Sequence, residues 1–182
     1  MLFTEPRTAF LFALLVTASV SDYRTHKIPN WLTAGGIVFA LIYNTAVPFY
    51  RDQGFLWACG GLLVGFLIML PCYALRIMGA GDVKLMAMVG AFLGVTDTLH
   101  AVFYSFLAGG IAALVFALRT HALARMLGNL KNMTQMMMLS AVGGFKPEIQ
   151  MAPGQSVGKL AFGICISIGT IGYVVAKQLG FA

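Results

Sequence analysis

Charge is scarce in this sequence. Only 10% of its 182 residues are Asp, Glu, Lys or Arg, while 59% are hydrophobic. Water-soluble domains carry roughly a quarter charged residues, so the deficit excludes a soluble domain and makes lipid the expected solvent. Cysteine is scarce too. Cys59, Cys72 and Cys165 all lie inside apolar runs, with no CxxC pair and no histidine at metal-ligand spacing. They read as small apolar residues, and neither a metal nor another cofactor is expected. The twelve Lys and Arg outnumber the six Asp and Glu but stand singly between apolar runs. That pattern gives no basic patch for nucleic acid and reads instead as a set of topology signals.

What the sequence has in abundance is apolar length. At about 20 residues per span, the chain has room for about five to seven transmembrane helices and no separate soluble domain. Residues 1–182 are therefore expected to form one membrane-embedded domain, an all-α polytopic transmembrane helical bundle. Six candidate spans lie at roughly residues 7 to 22, 31 to 48, 55 to 75, 83 to 96, 101 to 118 and 157 to 176. The fourth, Leu85 to Thr96 at its most apolar, is too short alone and should tilt, thin the bilayer or borrow residues from the preceding segment. No internal repeat or low-complexity tract is evident.

Basic residues set the orientation. Arg24, Lys27, Arg76, Lys84, Arg119, Arg125, Lys131 and Lys146 fall in the first, third and fifth breaks, against Arg7, Arg51 and Lys177 on the other side. Those breaks should face the cytoplasm, with both termini outside. The first run also resembles a cleaved secretory signal, with Val16-Thr17-Ala18 as small residues near its end, but Arg24 and Lys27 just beyond would resist export. In the loop from Arg119 to Ser156, Leu123, Met126, Leu127, Leu130, Met133 and Met137 recur at spacings of three and four. This predicts an interfacial amphipathic helix, with Met136 to Met138 facing lipid or the bundle rather than binding copper.

Among six acidic residues, Glu5, Asp52, Asp97 and Glu148 lie in terminal or loop segments where solvation suffices. Asp22 and Asp82 differ, because one closes the first apolar run and the other opens the fourth. Two spans separate them, so both emerge on the same side of the membrane and can meet. Carboxylates brought together at the hydrocarbon edge repel, so the pair is expected to share one proton. One can then act as general base on a water while its protonated partner donates to the scissile carbonyl. Gly79 and Gly81 let the backbone bend and a substrate approach Asp82. Pro29 is expected to stop the first helix. Lys84 is placed to tune the charge of Asp82 or to snorkel to headgroups. An Asp opening a helix is also favoured by capping and the helix dipole alone.

These residues carry a resemblance. Asp22 followed by Ile28-Pro29-Asn30, and then Gly79-Ala80-Gly81-Asp82-Val83-Lys84-Leu85, resemble the two motifs of the type IV prepilin peptidase family of GxGD membrane aspartic peptidases. The resemblance implies that Asp22 and Asp82 are catalytic and that Ile28, Pro29, Asn30, Gly79, Gly81 and Lys84 shape the site. Ala152-Pro153-Gly154 is loosely similar to a segment before the family's last span. Bifunctional members carry a cytoplasmic insertion, often with CxxC pairs, and methylate the cleaved pilin; without either feature, this chain resembles the short, peptidase-only form of Flp or Tad pilus systems. The implied partners are a prepilin or pseudopilin substrate, membrane lipid and pilus or secretion assembly machinery, at the bacterial inner membrane with the site towards the cytoplasm. Presenilin-like enzymes share GxGD but not the context of Asp22. The competing classes are a proton-coupled transporter, which would ordinarily show repeats and broken midplane helices, and a non-catalytic assembly subunit.

Overall fold

The computed structural model describes residues 6–47, 54–75, 77–119 and 161–180. Among the described residues, all regular structure is helical: α1 (Pro6–Thr25), α2 (Asn30–Ala46), α3 (Phe55–Ala74), α4 (Ala80–Arg119) and α5 (Phe162–Gln178). Residues 1–109 with 161–182 make one compact unit and 110–160 a second, of which 110–119 are described. The amphipathic segment expected between Arg119 and Ser156 and the Ala152-Pro153-Gly154 stretch lie outside the described residues.

In the larger unit, the first part of α4 is the axis. Val83 and every residue from Leu85 to Leu93 are buried, as expected of a helix that is apolar all round. Leu11, Leu15 and Ala18 from α1, Leu32 and Ala40 from α2, Met69 from α3 and Ile166 and Tyr173 from α5 complete the core. The outward faces are also apolar: Val16, Val20, Val38, Ile42, Leu56, Leu63, Leu67, Phe103 and Leu107 are all exposed. Apolar exposure on this scale marks a surface made for an apolar neighbour. Among the described residues, two helices, α3 and the stretch Ala80–Phe116 of α4, are long and apolar enough to cross a membrane.

The fourth and fifth apolar runs share one element. The sequence suggests a break at the polar segment after Thr96, whereas the non-helical residue is Gly94, at φ 76° and ψ −179°, a conformation essentially confined to glycine. Trp57 packs against its Cα, leaving no room for a side chain. Asn44 Nδ2 donates to Ala91 O at 3.1 Å, supplying a partner to a carbonyl just before the break. Arg7, counted above among the basic residues of the non-cytoplasmic side, is buried; its guanidinium donates to Asn44 Oδ1 at 3.0 Å and lies over the Trp57 ring.

Asp97 also departs from its solvated reading. It sits within α4, accepts Tyr173 Oη at 2.8 Å and pairs with Lys177 at 2.6 Å, both on α5. Replacing Asp97 with Asn weakens both contacts in a half-buried setting and should cost about 1–2 kcal/mol. Thermal unfolding in detergent checks this as a lowered midpoint.

Candidate active site

The site forms where the end of α1, the start of α4 and the start of α5 meet. The α1 helix ends at Thr25, four residues before Pro29, because His26 takes a left-handed conformation (φ 49°) and donates its N–H to Asp22 O at 2.9 Å. This is the usual geometry of a left-handed helix stop. Ser21 and Thr25 hydroxyls then donate to Lys27 O, fixing the turn. Pro29 therefore does not stop α1; it is the extended residue that precedes α2, with φ −63° and ψ 132°.

The turn brings the two separated motifs together. Gly81 passes so close to Ile28 that a Cβ there would lie 3.3 Å from Ile28 Cβ. Lys84 Nζ donates to Asn30 Oδ1 at 2.9 Å, so it ties one motif to the other. Gly79 donates its N–H to Asp82 Oδ2 at 3.2 Å, while Asp82 N–H bonds Gly79 O at 3.1 Å. The carboxylate thus supplies the side-chain half of a capping box and the Gly79 carbonyl closes the turn in place of a capping side chain, which positions Asp82 in the first turn of α4.

Asp22 and Asp82 are both buried, at 6% and 8% exposure, and Asp22 lies near enough to act electrostatically on Asp82. Each carboxylate accepts one backbone N–H through Oδ2, from Gly163 at 2.9 Å for Asp22 and from Gly79 for Asp82. Two buried carboxyl groups within electrostatic reach of each other disfavour double ionisation, which is a requirement of carboxyl-based general acid–base hydrolysis.

Two contributors from α5 escaped the sequence reading. Gly163 acts through its main chain, which no residue pattern reports. Cys165, read only as a small apolar residue, is buried within electrostatic reach of both aspartates. Ser167 anchors α5 beside them, its hydroxyl donating to Leu15 O at 3.1 Å and Gly163 O at 2.9 Å.

An apolar helical bundle with a buried aspartate pair at its helix ends belongs among candidate membrane aspartic hydrolases. Comparison with known proteins narrows this: the type IV leader peptidase family model matches residues 9–114, and the chain belongs to that family. A prepilin leader peptidase/N-methyltransferase of Neisseria gonorrhoeae is 32% identical over 112 residues, a match covering 58% of this chain and 38% of that protein. The chain thus spans well under half of that relative's length. No solved structure matches the chain.

Proposed function

We propose that this protein is a membrane aspartic endopeptidase that removes the basic leader from Flp-like prepilins, with Asp22 and Asp82 activating the attacking water. The observation that supports the reading is that the two motif carboxylates, sixty residues apart in the chain, are both buried and within electrostatic reach of one another in a chain of the leader peptidase family. One carboxylate takes a proton from water as it attacks the scissile carbonyl; the other gives a proton to the carbonyl oxygen and then to the leaving amine.

The same proposal places the chain in the bacterial inner membrane as a single domain of about six spans with both termini outside. The bias of basic residues then turns the dyad towards the cytoplasm. A prepilin fits such a site physically. Its basic leader would stay in the cytoplasm while its apolar helix enters the bilayer, setting the scissile bond at the depth of the aspartates. Only the short turn between Thr25 and Asn30 separates α1 from α2, with no insertion of the kind that accompanies methyl transfer, so cleavage is proposed without methylation.

Co-expression with an Flp-type prepilin tests this. The expected result is a precursor-to-mature shift on a gel and an unmethylated new N-terminus by mass spectrometry. A precursor left uncut across several Flp-type prepilins would favour a transporter or assembly subunit, and a methylated product would overturn the peptidase-only reading.

A further inference from the structure

The two carboxylates are held differently, and the difference comes from α5. Asp22 receives the Gly163 N–H at 2.9 Å, with the Ile164 N–H beside it, both from the first turn of α5. At that helix start the Gly163 N–H is free of the helix ladder and turns to the carboxylate, while the Ile164 N–H also donates to Ala161 O at 3.2 Å. His26, exposed at the end of α1, adds a further electrostatic contact to Asp22. Asp82 receives one N–H, from Gly79, at the longer distance of 3.2 Å.

Helix-end fields work the other way, since Asp82 lies in the first turn of α4 and Asp22 in the last turn of α1. Direct hydrogen bonds to an ionised group outweigh such fields. Space points the same way as the donors: a Cβ on Gly163 would lie 2.7 Å from Asp22 Oδ2 and 3.0 Å from Ile28 Cδ1. Only glycine leaves the carboxylate its place.

We propose that Gly163 is a positioning residue of the dyad: its N–H and its missing side chain hold Asp22 as the ionised, water-activating partner and leave the shared proton on Asp82. This rests on the reading of Asp22 and Asp82 as a catalytic pair. Since Gly163 follows Asp22 by 141 residues, the site is complete only when α5 has docked.

The test is steady-state cleavage of a purified Flp-type prepilin by the full chain in detergent, comparing wild type with Gly163→Ala. The added methyl displaces Asp22, so kcat should fall about 10- to 100-fold while KM for the prepilin stays within about twofold. The acid limb of the pH–rate profile should also move to higher pH, because the charged carboxylate has lost a donor. The other titratable groups facing Asp22 are His26 from the end of α1, Asp82 from α4 and Cys165 from α5; Gly163→Ala leaves all three in the chain. An unshifted limb, whatever kcat does, would overturn the positioning role.

Proton placement gives a second measurement that does not depend on Gly163→Ala folding. Titrated through acid pH, the infrared carbonyl band of the protonated carboxyl that remains in Asp22→Asn should disappear at a higher pH than the one that remains in Asp82→Asn, since Asp22 keeps the Gly163 donor; the reverse order would overturn the assignment. Cleavage retained by either Asn variant would instead defeat the catalytic pair itself. Both Asn variants inactive, with Gly163→Ala at wild-type kcat and limb, would defeat only the role of Gly163.

Discussion

Asn at position 22, and separately at position 82, is expected to leave an Flp-type prepilin uncut while the protein stays folded in the membrane. Asn preserves the shape of Asp and keeps an oxygen to accept the N–H of Gly163 or Gly79, so the turn after α1 and the start of α4 should survive. What it cannot do is take or give the proton the reaction needs. A positioned acid or base contributes about 10²–10⁴-fold, so each variant should fall to the floor of the assay. Stability should move the opposite way or not at all. Both aspartates are buried, and removing a carboxyl from a repelling pair relieves desolvation and mutual repulsion. Thermal unfolding in detergent, run beside the cleavage gel, separates the alternatives. Lost activity with an unchanged or raised midpoint supports the dyad; normal cutting by either variant removes it, and a collapse in stability reassigns the residue to folding.

The two aspartates of the proposed dyad stand out in the sequence because carboxylates at the ends of apolar runs are costly and therefore conspicuous. The helices were legible for a related reason: apolar runs between polar breaks suffice to place α1, α2, α3 and α5, helices of 17 to 20 residues, to within several residues. The break inside α4 was not. Polarity from Thr96 to His100 suggests a loop, but Thr98 and His100 satisfy their side chains on the Gly94 and Thr96 carbonyls of the same helix. Asp97 finds Lys177 eighty residues away. Partners that distant are invisible to a local reading. Pro29 misled in another way, because a proline marks both helix stops and helix starts, and the stop itself was made by His26. The hold of α5 on Asp22 is a main-chain contact, so only the assembled bundle displays it.

The same limitation hides how α3 meets α4, where the second large effect is expected. Gly61 and Gly65 are four apart on α3, and Gly90 and Gly94 four apart on α4. Such small-residue spacing lets helix backbones approach in membranes, where close packing replaces the hydrophobic effect as the force between helices. The two pairs do meet: a Cβ on Gly61 would strike Gly90 O, one on Gly90 would strike Gly61 O, and one on Gly65 would strike Met86 O. Backbone cannot rotate aside as a side chain can. Gly61→Ala and Gly90→Ala should therefore each cost about 1–3 kcal/mol, against the usual gain of alanine over glycine in a helix. Gly35→Ala is the matched control, since its Cβ meets nothing within 4 Å, and its unfolding midpoint should stay at or above wild type. The cost should reach catalysis as well. Asp82 lies eight residues before Gly90, about 12 Å along the same helix, so pushing α4 off α3 shifts one carboxylate against the other. Gly61→Ala is thus expected to lower both the thermal midpoint and the cleavage rate per folded enzyme. A wild-type midpoint for Gly61→Ala would show that α3 and α4 do not pack backbone to backbone at this crossing.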